Sequence, residues 1–262
     1  MSIRCILAWV LVLLCPLSAA AQDAVQEVRA CISRNIPKKS SEQTVHFTAV
    51  DRIGGRREFR GKILGIRGSD GTRRAKLCIS RPPEMRGSEI LSVENASSSP
   101  ETFVYTIELR KPTRLTGEAA GGSVFGTDFN YEDLERWQLL SRPGTEERLA
   151  DSEIDGRSVY VLVTRPAASA ESAYAKVVSY VDKQTCVVIK AESFESGDRL
   201  RKVLTARSGQ MIEEGGIFAP TEIVIKDVRG ETTTTVEIED LDVDGEMDER
   251  SFEVSSLGRH CR

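Results

Sequence analysis

Turn sequences punctuate this chain at close intervals: Gly54-Gly55, Asp70-Gly71, Asp155-Gly156, Asp182-Lys183, Gly197-Asp198 and Gly230. The runs between them are short and rich in β-branched residues, which reads as strands joined by hairpin turns. The spacing predicts strands over 44–52, 56–67, 73–80, 88–94 and 103–109. Beyond the centre of the chain it predicts 149–154, 158–165, 173–181, 186–194, 199–206, 218–228 and 231–241. Outside the centre of the chain, only two helical pieces interrupt the series. Residues 23–36 place Val25, Val28 and Ile32 on one face before Pro37 ends the segment, and 248–252 allow one closing turn. Serial strands without a βαβ alternation predict a mainly β (α+β) fold, one large antiparallel sheet with helices packed on one face. Val159, Val161 and Val163 alternate with Tyr160 and Leu162, so that strand is apolar on both sides. Core burial and an enclosed apolar cavity both account for this.

Residues 1–21 read as a signal peptide: Arg4, an apolar run from Ile6 to Leu17, and Ala19-Ala20-Ala21 at the cleavage site. The expected product is a single domain over 22–262, 241 of the 262 residues. Its formal charge is −5 rather than −4, because Arg4 is the one charged residue removed. A chain this long needs neither metal nor disulfide to fold. Charge is unevenly placed. Residues 28–86 carry 15 Lys and Arg against 5 Asp and Glu, while 237–249 carry 8 acids and no base. Such a dipole orients a protein against a charged partner, unless the two runs neutralise each other across the sheet. The mature chain has four cysteines, Cys31, Cys78, Cys186 and Cys261. An exported protein is expected to pair them, and three pairings are possible. We favour Cys31 with Cys261, which leaves Cys78 with Cys186.

The centre of the chain, from Gly121 to Leu134, concentrates glycines, acids and aromatics. Thr127 or Asp128 is placed to cap a short helix over 131–134, with Glu132 and Asp133, acids of an exposed type, near its positive end. Catalytic patterns are poor here. Ser123 lacks the glycine two residues on that a nucleophile elbow needs, and His46 and His260 are the only histidines. Asp128, Glu132 and Asp133 serve as caps more readily than as paired catalytic carboxylates. Asp240, Asp242 and Asp244 before Gly245 open like a calcium loop, but Ser251 stands where the bidentate glutamate belongs. The chain shows no nucleic-acid module, phosphate loop or dinucleotide fingerprint. No catalytic residue, cofactor, metal or nucleic-acid partner is expected.

The run Thr127-Asp128-Phe129-Asn130-Tyr131-Glu132-Asp133-Leu134, behind Gly126 and with Arg114 before it, resembles the central motif of the LolA-like outer membrane lipoprotein-sorting proteins. Pro83–Leu91, Asp155-Gly156-Arg157, Gly215–Thr221 and Leu241–Phe252 are similar to further family segments, so the likeness covers most of 83–257. Departures are Phe103-Val104-Tyr105 where a tryptophan strand is usual, and bases thinned to Lys111 and Arg114. The resemblance implies an incomplete barrel, a curved sheet with helices on its concave side around an apolar groove. It implies a monomeric periplasmic carrier, without catalysis, of the acyl chains of a lipid or lipoprotein. Inner-membrane pumps or outer-membrane receptors are the implied protein partners. The alternative is an envelope accessory protein of a lipid-exporting pump that carries no cargo. Phe103, Tyr105, Phe125, Phe129, Tyr131 and Leu134 are the expected groove or lid residues. Arg114, Gly126, Thr127, Asp128, Glu132 and Asp133 would be structural.

Overall fold

A computed structural model describes residues 17–116, 119 and 121–259. The charged end and most of the apolar run of the expected signal peptide lie outside the described residues, as do His260 and Cys261. The chain begins with α1 (Leu17–Arg34) and then runs through β1 (Ser40–Val50), β2 (Arg56–Arg67), β3 (Arg73–Arg81), β4 (Glu89–Val93), β5 (Glu101–Tyr105) and the short β6 (Thr113–Arg114). Helix α2 (Tyr131–Trp137) follows the glycine-rich loop. The second half comprises β7 (Gly144–Ile154), β8 (Arg157–Pro166), β9 (Lys176–Asp182), β10 (Val188–Glu195), β11 (Arg199–Ala206), β12 (Met211–Glu214), β13 (Ile217–Pro220), β14 (Glu222–Asp227) and β15 (Thr232–Val243). Short 3-10 turns at Glu249–Phe252 and Val254–Ser256 end it.

Thirteen strands form one antiparallel sheet in the order β6-β5-β4-β3-β2-β1-β15-β14-β11-β10-β9-β8-β7, with edges at β6 and β7. The sheet does not close into a barrel. Sequence neighbours pair along the sheet, except where β11 pairs with β14 past the separate β12–β13 hairpin and where β15 returns to β1 and joins the two halves. That junction resolves the charge dipole. The acidic run lies beside the basic one, with Arg60 3.3 Å from Glu239, His46 3.1 Å from Glu237 and Arg74 2.7 Å from Glu249.

Cross-strand partners share a face, so the pairing register tells which side each helix covers. Phe47 pairs with Val236, and Val236 with Ile223. Two residues on, Ile225 pairs with Leu204, which leads through Ala191 and Ser179 to Leu162. Helix α2 packs on Phe47, and Val25, Val28 and Ile32 of α1 pack on Leu162, Tyr160 and Val181. Both helices therefore lie on the same face, as expected. The opposite face of β2–β5 is not open. The 3-10 turns bury Phe252 and Leu257 against Leu91, Leu64, Ile66, Phe103 and Tyr105.

Two expectations need correction. The strand expected over 218–228 breaks at Thr221. Its first part, β13, pairs with an unforeseen β12, and the hairpin packs Met211 and Phe218 on Val159, Val161 and Ile189. Pro220, which has no amide hydrogen, ends this separate ladder. The disulfide joins Cys31 to Cys186, with Cα atoms 5.2 Å apart. Helix α1 docks on β8 and β9 rather than beside the C-terminal tail, which brings Cys31 to the β9–β10 turn. Cys78 is disulfide-bonded too, and its partner is not Cys186. In the acidic run, Asp240 and Asp242 are paired residues of β15, opposite Thr44 and Glu42, and the Asp244 carboxylate accepts the Lys39 amide at 2.6 Å. Among the described residues no group of three or more acids, histidines or cysteines is placed to hold a metal.

Candidate functional site

The segment 121–138 lies over the helix-bearing face as a lid. Its loop closes on itself where Ser123 bridges Asn130, with the Val124 amide 2.8 Å from the Phe129 carbonyl. Phe125 and Gly126 both have positive φ, +49° and +79°. The positive φ at Gly126 favours glycine, and a Cβ there would stand 1.7 Å from an Arg57 guanidinium nitrogen, so a larger residue would displace that side chain. Arg57 donates to the Phe125 carbonyl at 3.2 Å. The Asp128 carboxylate accepts from the hydroxyls of Thr232 and Thr234, and its amide donates to Thr234 at 2.9 Å. These contacts pin the lid to β2 and β15.

Asn130, rather than Thr127 or Asp128, caps α2. Its side chain accepts the Asp133 amide at 2.7 Å and Asp133 accepts the Asn130 amide at 2.9 Å, a reciprocal capping box. Asp128 is diverted to β15, and Thr127 donates to the Val124 carbonyl at 2.7 Å. Between the caps the lid inserts its aromatics. Phe47 and Phe59 stack at 4.4 Å, Phe129 meets Phe47 edge-on at 5.9 Å, Trp137 lies 5.8 Å from Phe129, and Phe125 lies 5.9 Å from Phe59.

Glu132, Asp133 and Glu135 are buried, contrary to the exposed setting expected of the first two. Each is matched. Asp133 receives Lys202 at 2.7 Å and the Tyr174 hydroxyl at 2.8 Å, and Asn130 donates to Tyr174 at 3.0 Å. Glu132 receives Arg136 at 2.6 Å, Ser172 at 2.8 Å and the Ala173 amide at 3.0 Å. Glu135 pairs with Arg142 and accepts Thr102 at 2.7 Å. Burial pushes the Glu135 carboxyl up, more than Arg142 draws it down. Burial acts on Glu132 in the same direction, but the charges of Arg136 and Arg142 and its hydrogen bonds outweigh it and hold that carboxyl low. Burial and the adjoining Asp133 push the Tyr174 hydroxyl far up, so it stays a donor at neutral pH. These groups are locked into ion pairs that hold α2 down.

A carboxyl depressed on folding stabilises above its unfolded value, and that stability is lost as pH falls through the folded value. Glu132→Gln is therefore expected to lower stability at pH 7 by about 1–3 kcal/mol, the cost of unmatching a buried charged partner. The gap from the parent should narrow at acidic pH, below the ordinary glutamate range, as the parent's own Glu132 protonates. Urea unfolding of both proteins at the two pH values checks this, and a gap that does not narrow refutes it.

Of the six expected groove residues, the structure gathers four in one cluster: Phe125, Phe129, Tyr131 and Leu134. Phe103 and Tyr105 are separated from them, on the opposite face under the C-terminal turns. Arg114 is exposed and ion-paired to Glu101 at 2.8 Å. Sequence reasoning missed Phe47, Phe59 and Trp137 as lid contacts, and Arg57, Lys202 and Tyr174 as its polar ties. A cleft of about 490 Å³ flanks the lid, bounded by Arg56, Arg57, Gly126, Asp128, Arg201 and Lys202. A smaller one of about 190 Å³ lies beside Glu132, Glu135 and Arg142.

A family model described as "Uncharacterized protein" matches residues 71–259. The chain belongs to that family. Solved structures of similar architecture include a DUF1329 family protein from Desulfovibrio piger, 20% identical with a TM-score of 0.81, covering 90% of this chain and 98% of that one. A domain from Vibrio parahaemolyticus described as an outer membrane lipoprotein-sorting protein is 19% identical with a TM-score of 0.80, covering 92% and 100%. A LolA superfamily protein from Nitrosomonas europaea is 18% identical with a TM-score of 0.66, covering 89% and 97%. No curated protein matches the sequence. The resemblance seen in the central motif thus extends to the whole architecture, and the fold is LolA-like.

Proposed function

We propose that this chain is a periplasmic, non-catalytic carrier that holds acyl chains of a lipid or lipoprotein against the helix-bearing face of its sheet. One observation carries the reading. The apolar strip from Val104 through Ile90, Leu77, Ile63, Phe59 and Phe47 to Val236, Ile223 and Ile225 is roofed by a short loop-and-helix lid. Polar side-chain contacts at Asp128, Asn130, Glu132, Asp133 and Glu135 tie that lid to the sheet and its loops, while the rings of Phe125 and Phe129 pack on the strip. Moving it aside would expose a continuous apolar surface without breaking a strand pairing. Each methylene buried there gains about 0.8 kcal/mol, enough for a single chain to be held against water. Release then requires a membrane or receptor that competes for the chain.

Trp137 is the single tryptophan outside the expected signal peptide, and it sits in this cluster. Fatty acids brominated along the chain are expected to quench its fluorescence saturably, and gently purified protein should yield co-extracted acyl lipid by mass spectrometry. Lipid-free protein whose tryptophan is untouched by brominated chains would defeat the proposal.

A further inference from the structure

The cleft of about 490 Å³ beside the lid is of a size that holds small ligands. Its wall has a charge that the fold leaves unmatched. Four cations border it, Arg56, Arg57, Arg201 and Lys202, with three carboxylates, Asp51, Asp128 and Asp227. The carboxylates are committed. Asp51 accepts the amides of Ile53 at 2.9 Å and Gly55 at 2.8 Å, which builds the β1–β2 turn. Asp128 takes Thr232 and Thr234, and Asp227 takes the amides of Arg229 at 3.0 Å and Gly230 at 2.7 Å. Three of the cations are committed as well, Arg56 to Glu58, Arg201 to Asp227 and Lys202 to Asp133.

Arg57 is the exception. Among the described residues it has no carboxylate within ion-pair distance, and its only acceptor is the Phe125 carbonyl. A guanidinium has five N–H donors, so most of its fork is unspent. Gly126 leaves the space that the guanidinium occupies. The floor of the same cleft includes Phe129, a member of the apolar cluster beneath the lid. A cation with free donors therefore stands at the mouth of an apolar strip.

We propose that this cleft takes the phosphate headgroup of an anionic phospholipid, bound by Arg57, while the acyl chains run beneath the lid. The proposal rests on the carrier reading and narrows its cargo to phosphate-bearing amphiphiles. A planar guanidinium matches a phosphate bidentately.

The test compares binding of short-chain dihexanoyl phosphatidylglycerol, dihexanoylglycerol without phosphate, and inorganic phosphate to the purified protein at low salt. The phosphatidylglycerol is expected to bind roughly tenfold tighter than the diglyceride, the worth of one charge-assisted contact. Arg57→Gln, which keeps a donor for the Phe125 carbonyl, should abolish that preference. Arg57→Lys should retain part of it, and Arg86→Gln, remote from the cleft, all of it. Inorganic phosphate should compete only at far higher concentration. Equal affinity for the two amphiphiles, or a preference that survives Arg57→Gln in a protein whose circular dichroism is unchanged, overturns the headgroup site but leaves the carrier intact. Phosphate competing as well as the phospholipid overturns it in favour of a free-phosphate site. Failure of both amphiphiles to bind overturns the carrier reading itself.

Discussion

Lys76→Met is expected to cost about 3–5 kcal/mol of unfolding free energy, because it strands a carboxylate in the interior. Lys76 and Glu89 are 1% and 0% exposed, with Nζ 3.0 Å from Oε2. Each also holds the C-terminal tail: Lys76 donates to the Ser251 carbonyl at 2.7 Å, and Glu89 accepts the Gly258 amide at 2.8 Å. This buried pair fastens the turns that cover Leu91, Phe103 and Tyr105. Removing the cation alone leaves Glu89 with no opposing charge and loosens that cover. Removing both charges no longer strands a carboxylate, though the Ser251 carbonyl and Gly258 amide lose their partners, so Lys76→Met with Glu89→Leu should recover part of the loss. Urea unfolding of the parent, the single variant and the double variant measures this. A single variant within 1 kcal/mol of the parent, or a double variant no better than the single, would be inconsistent with a pair that is costly only when broken.

The same tail shows where the sequence was legible and where it was not. Strand existence followed from local signals, since Gly54-Gly55 and Asp155-Gly156 are turn formers and the flanking runs alternate. One antiparallel sheet with both helices on one face followed in turn, and its incomplete closure followed from the family resemblance. What alternation cannot tell is which cover lies on the second face. Phe103 and Tyr105 alternate with Val104 and looked suitable for a groove, yet it is Val104 that points toward the lid side. A shift of one residue in that reading moves the whole set, because the side-chain period is two.

Long-range polar pairs were equally hidden. Lys202 and Asp133 are 69 residues apart, and only the packing of α2 over β11 brings them together. Asn130 and Asp133 are different, because a capping residue and an acid three positions on form a local signature. The signal was present, but Thr127 and Asp128 competed for the same role. The disulfide illustrates the remaining limit: spacing left three pairings open, and only the docking of α1 on β8 and β9 selects Cys31 with Cys186.

Phe129→Ala is expected to be the most damaging change within the lid, costing about 3–5 kcal/mol as a fully buried phenylalanine truncated to alanine. The side chain has no exposed surface and contacts the rings of Phe47 and Trp137. Backbone ties on either side of it do not depend on the ring. The Val124 amide bonds the Phe129 carbonyl, and Asp128 stays anchored to Thr232 and Thr234. The lid should therefore remain in place over a cavity instead of unravelling, and the loss should appear as weaker packing around Trp137. Two measurements separate stability from function. Urea unfolding should report the loss, and in the absence of denaturant brominated acyl chains should quench Trp137 at least as efficiently as in the parent, because an emptied apolar site favours an apolar guest. If quenching vanishes while the protein is still folded, the ring is a required wall of the acyl site rather than a plug in it. Stability unchanged by the substitution would contradict the packing itself.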